Sequence, residues 1–245
     1  MIMIIGTTHD DVLYFESIMT SKREENVFGN YKVTIGNIFN QEVLLIDQVY
    51  TNVLSSALTS ALIAKYYVIL VVVVGKCIAF SKDWKLGDIA LSKITYLGDV
   101  DQTADTDAKF GQVPGFPQYF LAQEDVLGYL TAAFEQRLYG AFFHATYVCN
   151  NVVFTLRKQL VEISVGETIF GHKERVVLDS NSGGVALACH LTHVPFISAK
   201  VVSRFLDKPF TVEEYAETLK RYIDLGRGIV ATIGDIGRSD LLGGN

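Results

Sequence analysis

Two histidines, His190 and His193, are close enough in the sequence to bring both imidazoles to one side of a helix. Imidazole is a common ligand of transition metals, so the first chemistry to consider is a metal site. Such a centre needs at least three protein ligands, and no third candidate accompanies the pair in the sequence. We therefore interpret both histidines as residues at a helix end or on the surface, and we predict neither a metal nor a cofactor.

A glycine-rich segment near the carboxyl end has the letters of a dinucleotide-binding turn. It reads Gly-Arg-Gly-Ile-Val-Ala over residues 226–231. In a true dinucleotide site the glycines follow a strand and open a helix, so that the pyrophosphate meets free backbone N–H groups. Here the segment continues a helical pattern, so that mechanism is missing. The sequence also has no Gly-x-Ser-x-Gly elbow and no P-loop.

The composition narrows the possible classes of function. The chain has 245 residues, 49% hydrophobic content and a formal net charge of -6. An acidic chain lacks the positive surface that neutralises phosphates, so we expect no nucleic-acid partner. The most apolar window, residues 66–74, is shorter than the roughly 20 residues that cross a bilayer, so we expect no membrane segment. Three cysteines, far apart in the sequence, favour a reduced, cytoplasmic protein.

The hydrophobic pattern predicts alternating strands and helices in a single domain over residues 1–245. Residues 68–74 are β-branched and apolar on both faces, which is typical of a central parallel strand, and we expect Gly75 to end it. Thr51 is a candidate cap for the preceding helix, and Thr211 with Glu214 forms a capping box for the last one. Further predictions are strands at 1–5, 31–37, 42–47, 89–94, 176–178 and 196–202, helices at 53–62, 123–139, 154–163 and 183–190, a loop at 98–109, and a loose Gly-rich tail from about 234.

Three short runs occur in the order in which one known family carries them. They are Leu-Gly-Asp-Ile at 86–89, Gly-Gln-Val-Pro-Gly-Phe-Pro at 111–117 and Val-Pro-Phe at 194–196. The second matches the family's Gly-Gln-Leu-Pro-Gly-Cys-Pro at five of seven positions. On these runs the chain resembles the methylthioadenosine/S-adenosylhomocysteine nucleosidases of the nucleoside phosphorylase superfamily, over nearly its whole length. The resemblance implies an α/β fold, a three-layer sandwich whose central mixed, twisted sheet is flanked by helices.

The chemistry of the resembling family sets requirements that can be checked position by position. A carboxylate in the first loop deprotonates the attacking water, and a second holds the ribose hydroxyls as positive charge develops on the sugar. An aspartate after Ile-Ser protonates N7 of the leaving adenine. A turn of small residues after the central strand lets the backbone approach the ligand. In this chain the corresponding positions are Asp11, Asn181, Arg204 and the segment 75–79.

The resemblance thus places substituted residues at the catalytic positions. Asp11 keeps the charge of the family's glutamate on a side chain that is one methylene shorter, whereas Asn181 replaces the ribose-binding carboxylate. Arg204 replaces the general acid, and arginine cannot donate and recover a proton because it stays protonated at any working pH. Asp207 is the only nearby replacement acid, and Lys76 puts a long cation into the turn of small residues.

Two hypotheses of function follow. In the first, the protein is a catalytically inactive, regulatory or non-catalytic subunit that pairs with itself or with an active paralogue. In the second, it is an active nucleosidase or phosphorylase with a changed substrate, in which Lys76, Lys200 and Arg204 bind a phosphate or carboxylate and Asp11 or Asp179 acts as base. Asp179 and Ser180 are further candidates for ligand binding, and the ligand is a nucleoside or a small anion.

A third possibility lies between these two hypotheses. The cations at positions 76, 200 and 204 pair with Asp11 and Asp179 and fill the former pocket. A buried, unpaired guanidinium costs several kcal/mol. We therefore predict a salt bridge from Arg204 to Asp11 or Asp179.

The resemblance also implies a dimer surface. In the family, the run that matches residues 111–117 contributes to the two-fold interface, and so does the helix that matches residues 53–63. A protein that had lost both catalysis and assembly would have little reason to retain this turn, so we predict that the chain dimerises. The candidate interface residues in the turn are Gln112, Pro114, Phe116 and Pro117.

Overall fold

The computed structural model describes residues 1–29, 31–80, 83–137, 141–152, 175–206, 208 and 211–236. Strands and helices alternate along these residues, as the hydrophobic pattern predicts. In chain order they are β1 (Ile2–Ile5), α1 (His9–Ile18), β2 (Thr20–Val27), β3 (Tyr31–Ile38), β4 (Gln41–Ile46), α2 (Asn52–Lys65), β5 (Leu70–Ala79), β6 (Ile89–Leu97), β7 (Tyr119–Leu121), α3 (Glu124–Arg137), β8 (Phe142–Cys149), β9 (Val176–Asp179), α4 (Ser182–Thr192), β10 (Phe196–Phe205) and α5 (Val212–Ile236).

All described strands belong to one mixed sheet. Its order is β2-β3-β4-β1-β5-β9-β8-β6-β10, and β7 pairs with β6. Strand β10 also pairs with β5, so β5, β9, β8, β6 and β10 form a closed ring, while β1 to β4 extend from it as an open sheet. Strands β1, β4, β5 and β10 are parallel where they pair, as expected for strands with helices on both faces.

Strand β5 joins the open sheet to the ring. Its first half, Leu70 to Val73, pairs in parallel with β1 on one side and β10 on the other. Beyond Gly75, which has a φ of +140°, Ile78 and Ala79 pair antiparallel with β9 instead. The prediction that Gly75 ends the strand is therefore wrong. The unusual φ, which glycine adopts readily, lets the strand exchange one neighbour for another.

Helices cover both faces of the sheet. Because side chains alternate along a strand, Ile2 and Ile4 of β1 face one cluster and Met3 and Ile5 face another. The first cluster includes residues of α1, α3 and α5, and the second includes residues of α2 and α4. Val72 and Val73 of β5 are divided between the two clusters in the same way. This arrangement confirms the predicted three-layer α/β sandwich with a central mixed sheet.

The predicted elements that fall on described residues are present. Thr51 accepts a hydrogen bond from Leu54 N (3.3 Å), and Thr211 and Glu214 exchange both bonds of a capping box. Elements without a clear apolar period were missed: α1, β2, β7 and β8. The predicted helix at 154–163 lies outside the described residues. The predicted start of a loose tail at about residue 234 is wrong, because α5 continues to Ile236, and residues 237–245 lie outside the described residues.

Candidate functional site

The carboxylate of Asp11 is fixed at the start of α1. Its Oδ2 accepts hydrogen bonds from the backbone N–H groups of Thr7 (2.9 Å) and Thr8 (2.7 Å), in the loop that follows β1. The residue is only 3% exposed. A carboxylate bound to free N–H groups at a helix N-terminus is stabilised by both the hydrogen bonds and the helix dipole. The structure therefore holds the candidate base in one orientation.

Two residues from other elements approach Asp11. A Cβ atom on Gly75 would lie 3.1 Å from Asp11 Oδ2, so the backbone of β5 approaches the carboxylate closely at a residue without a side chain. The buried phenol of Tyr222 in α5 also lies near Asp11. Burial, and then the neighbouring carboxylate charge, raise the pKa of this phenol well above its ordinary value.

Asp179 and Lys200 form a buried ion pair. Lys200 Nζ donates to Asp179 Oδ1 at 2.5 Å, and the exposed fractions of the two side chains are 0% and 2%. Asp179 Oδ2 also accepts from Ser182 N (2.9 Å), which caps α4. Burial alone would raise the pKa of Asp179, but the charge and hydrogen bond of Lys200, with the bond from Ser182, hold it below its usual value.

Asn181 is bound to the protein on every side. Lys200 Nζ donates to its Oδ1 (2.6 Å), and its Nδ2 donates to Thr7 Oγ1 (3.2 Å) and to the carbonyl oxygen of Val49 (2.8 Å). The side chain is 0% exposed. Asn181, which the resemblance assigns to the ribose-binding position, is thus fully engaged in hydrogen bonds within the protein. We call Asp11, Thr7, Asn181, Lys200 and Asp179 the buried polar network, because backbone and side-chain hydrogen bonds connect them in that order.

A cavity of about 220 Å³ lies next to this network. We call it the Arg204 cavity. Of the predicted ligand-binding and catalytic residues, Lys76, Asp179, Ser180 and Arg204 line it, whereas Asp11, Asn181 and Lys200 do not. The full lining is Lys76, Cys77, Ile78, Asn150, Val152, Leu178, Asp179, Ser180, Ser203 and Arg204.

Arg204 makes no ion pair with any acidic residue in the described part of the chain. The predicted salt bridge to Asp11 or Asp179 is therefore wrong. Lys200 already holds Asp179, and backbone amides hold Asp11. The β5–β10 register shifts between Val202 and Arg204, and such an irregularity re-aims the residues beyond it. Burial lowers the pKa of the Arg204 guanidinium. Asp207, the nearby acid considered above, lies outside the described residues.

Lys76 is half-buried at the same cavity. Its Nζ lies 4.7 Å from the centre of the Tyr215 ring, a cation–π contact. The Tyr215 hydroxyl in turn donates to Asp10 Oδ2 at 2.8 Å. The predicted anion site of Lys76, Lys200 and Arg204 is therefore only partly assembled, because Lys200 does not line the cavity and its charge is neutralised by Asp179.

The residues that the resemblance assigns to a dimer surface form a compact turn. Gln112 accepts from Lys109 N (2.9 Å) and donates to the carbonyl oxygen of Phe116 (2.7 Å). Pro114 and Pro117 are exposed, while Phe116 packs edge-on against His190 at 6.1 Å. An open groove of about 880 Å³, which includes Pro117, Tyr119 and Leu121, runs beside the turn.

His190 and His193 have structural surroundings. The ring of His190 contacts Phe116 and Phe120, and His193 ends α4 in the left-handed conformation with a φ of +57°. Among the residues that the structure describes, no three His, Cys, Asp or Glu side chains are arranged to hold a metal ion. Burial also raises the pKa of the Cys77 and Cys149 thiols, so neither is a ready nucleophile.

Sequence reasoning missed several residues around the site. Thr7 links Asp11 to Asn181, and the signal for it is its place directly after Gly6, the glycine that follows β1. Tyr215 and Tyr222 lie two helical turns apart, a spacing that puts both on one face of α5. The sequence shows that spacing, but it does not show that α5 packs against the start of α1.

The loop before α2 holds two residues with a positive φ. Thr51, the N-cap of α2, has φ +57° and ψ 152°. A β-branched residue is strained in this region. The neighbouring turn also holds Gln48 at a φ of +57°. The loop that contributes the Val49 carbonyl to Asn181 therefore contains two residues in a conformation that favours glycine.

The comparison with protein families decides the family of this chain. A model of the phosphorylase superfamily matches residues 1–233. The chain belongs to the phosphorylase superfamily. Among curated proteins, it is 26% identical over 204 residues to a 5'-methylthioadenosine/S-adenosylhomocysteine nucleosidase of Staphylococcus haemolyticus, covering 83% of this chain and 86% of the relative. It is 25% identical to that of Colwellia psychrerythraea, covering 88% of each. These relatives confirm the resemblance drawn from the motifs.

Solved structures share the fold over nearly the whole chain. A putative nucleosidase of the same kind from Borrelia burgdorferi, bound to adenine, has a TM-score of 0.85, 22% identity and coverage of 96% of this chain and 100% of its own. The futalosine hydrolase of Helicobacter pylori has a TM-score of 0.83, 16% identity and coverage of 96% and 97%. At these identities the likeness shows the fold. No helix in the described residues of this superfamily member is long and apolar enough to cross a membrane.

Proposed function

We propose that this protein is a nucleosidase-like member of the superfamily that does not hydrolyse methylthioadenosine or S-adenosylhomocysteine, and that it acts as a non-catalytic subunit. The observation that carries the proposal is the state of Asn181. Its amide group binds Lys200, Thr7 and Val49, so it is not free to hold ribose hydroxyls. It also lacks the negative charge that would oppose the positive charge developing on a sugar.

The leaving group is a second obstacle. The position that the resemblance assigns to the general acid holds Arg204, which cannot deliver a proton to a purine nitrogen at neutral pH. Loss of general acid catalysis typically costs about 10²–10⁴-fold in rate. Loss of the carboxylate that stabilises the sugar cation adds a further factor of roughly 10²–10³. Asp11 alone, although well oriented, does not compensate for both.

An adenine-release assay tests the proposal. Methylthioadenosine and S-adenosylhomocysteine are incubated with the purified chain, and the nucleosidase of Staphylococcus haemolyticus serves as the active control. We expect turnover at least about 10³-fold below the control, from the two losses just described. Turnover within about tenfold of the control would overturn the proposal.

The orientation of Asp11 favours a second candidate function. A buried carboxylate fixed by two N–H groups is a preserved base, so an enzyme with a changed leaving group could still use it. Such a leaving group would depart without protonation. A nitrophenyl riboside, which releases nitrophenolate, distinguishes the two functions. Release that is abolished by Asp11→Asn would establish the second function, whereas no release would support the non-catalytic one.

We also propose that the chain forms a dimer through the face that contains the groove beside residues 111–117. Leu121, 61% exposed, lines this groove with Tyr119, 41% exposed. Exposed apolar side chains around a groove favour a protein partner. Phe116 is a poor probe of this surface because it packs against His190 of its own chain. Leu121→Lys is the better test, since it alters only an exposed side chain.

Light scattering measures the effect of that change. We expect a dimer for the unmodified chain and a shift towards monomer for Leu121→Lys, because the charge would be desolvated at the interface. Ile223→Lys, on the exposed face of α5 and 45% exposed in the original, is the matched control and should leave the mass unchanged. A monomer before any substitution, alone and with an active paralogue, would contradict the subunit role.

A further inference from the structure

The Arg204 cavity has an unbalanced charge. Lys76 and Arg204 line it, and Asp179 is the one acidic side chain among its described lining residues. Asp179 is already paired with Lys200, which lies outside the lining. The cavity lining therefore contains two cations, and the charge of its one carboxylate is already neutralised by Lys200. A positive site with low-dielectric walls attracts an anion.

The strand register sets these cations beside an apolar wall. Arg204 of β10 lies opposite Ile78 of β5, and Ile78 lies opposite Leu178 of β9. Since residues opposite each other on neighbouring strands point to the same face, these three side chains lie in a row. Lys76, two residues before Ile78 on β5, points the same way. Val152 completes the apolar lining.

Size and shape limit the ligand. A volume of about 220 Å³ is below the roughly 300–1,000 Å³ of pockets that hold drug-sized molecules. A single ring with one or two substituents is the scale that fits. The planar guanidinium of arginine matches a carboxylate with two parallel hydrogen bonds, and lysine adds a point charge that does not depend on direction.

We propose that the Arg204 cavity binds a small planar carboxylate, a single apolar ring that carries one carboxylate group. Its carboxylate pairs with the Arg204 guanidinium, with Lys76 as the second cation, and its ring packs on Ile78 and Leu178. Binding repays the desolvation of a half-buried guanidinium that has no acidic partner among the described residues. The inference goes beyond the proposed function and rests on it in one respect, that Arg204 binds charge and transfers no proton.

Benzoate is the probe, and its neutral analogue benzamide is the control ligand. Isothermal titration and thermal unfolding are measured for the unmodified chain with each compound. We expect saturable benzoate binding at or below about 1 mM and a melting temperature that rises with benzoate concentration. Benzamide should bind at least about tenfold more weakly, because the guanidinium pairs with a charge that it lacks.

Variants assign the site. Arg204→Met should weaken benzoate binding by at least about tenfold, and Lys76→Met by a smaller factor. Arg23→Met, which removes an exposed arginine on β2, is the matched control and should leave binding unchanged. Circular dichroism of each variant verifies that it folds.

Any one of several results would overturn the inference. They include no benzoate binding up to about 10 mM, equal binding of benzoate and benzamide, and unchanged binding in a folded Arg204→Met variant. Inorganic phosphate that binds more tightly than benzoate would also reject a planar carboxylate as the ligand. Adenine release is measured separately, so release together with Arg204-dependent benzoate binding would reject the proposed function and leave the anion site in place.

Discussion

Lys200 and Arg204 lie four residues apart on β10 and both are cations, but their surroundings are opposite. Lys200 is fully buried and donates to Asp179 and Asn181 within the buried polar network. Arg204, beyond the irregularity at Ser203, lines the Arg204 cavity and has no acidic partner among the described residues. One half of the candidate site is therefore fixed in the protein interior by Lys200, while the other half, with Arg204, faces the Arg204 cavity.

The largest expected effect comes from breaking the buried half. Lys200→Met leaves the Asp179 charge buried without its partner, and removal of one member of a buried pair destabilises a protein by about 3–5 kcal/mol. Urea unfolding measures the change. Lys220→Met, at a site 71% exposed on α5, is the control and should change stability by less than about 1 kcal/mol. Equal effects of the two substitutions would mean that Lys200 does not hold the site together.

A smaller effect is expected where the backbone approaches the network. Gly75→Ala forces a side chain into a φ of +140° and places its Cβ 3.1 Å from Asp11 Oδ2, so we expect a loss of about 1–3 kcal/mol. Gly128→Ala, in the exposed face of α3 with no atom within 4 Å of the new Cβ, should instead stabilise by about 0.5–1 kcal/mol. The same glycine-to-alanine substitution should therefore lower the melting temperature at one position and raise it at the other, and thermal unfolding measures both. A neutral Gly75→Ala would show that the close approach is not needed.

The pH dependence of stability sharpens the contrast further. The pKa of Asp179 is lower in the folded protein than in the unfolded chain, so its contribution is fully present above the unfolded pKa of about 3.9. That contribution is lost as the pH falls through the lower folded value. Between about pH 5 and pH 3, the unmodified protein should therefore lose more stability than Asp179→Asn. If stability fell equally with pH in the two proteins, the ion pair would not have the proposed stabilising role.

The smallest effect is expected on the open half. Arg204→Gln removes a half-buried charge that has no acidic partner among the described residues, so stability should stay within about 0.5 kcal/mol or rise slightly. Chemical unfolding beside Lys200→Met gives the comparison directly. A decrease of several kcal/mol in the free energy of unfolding would mean that Arg204 has a stabilising partner in the protein. The cavity would then no longer be a candidate anion site.

Much of the fold could be predicted because long apolar patterns determine it. Strand β5 is apolar on both faces and helix α2 on one face, and together these patterns predict a sheet that is covered by helices. The capping box predicts the start of α5. Strand β2, with side chains mostly exposed, has no apolar period to reveal it. The exchange of neighbours at Gly75 depends on a φ angle that the sequence cannot display. These elements were missed because tertiary pairing forms them.

The sequence predicts which residues occupy the candidate site better than it predicts which of them form ion pairs. Matching of motifs located Asp11, Asn181 and Arg204, and the structure places Asp11 and Asn181 in one network. The sequence does not show that Lys200 lies closer to Asp179 than Arg204 does, because an irregularity in β10 decides the matter. The sequence shows that cations and carboxylates lie near one another in the site. Which cation pairs with Asp179 depends on the register of β10 against β5.

The position of β2 has a consequence for how the protein behaves at high concentration. Because the ring of strands is closed, β2 is the long open edge among the described strands, and such an edge can recruit another chain through its unpaired backbone groups. Its central residues are Lys22, Arg23, Glu24 and Glu25, and its pairing with β3 is irregular between Thr20 and Arg23. Charges and irregular register both discourage a further strand from docking. The protein is thereby protected against edge-to-edge aggregation.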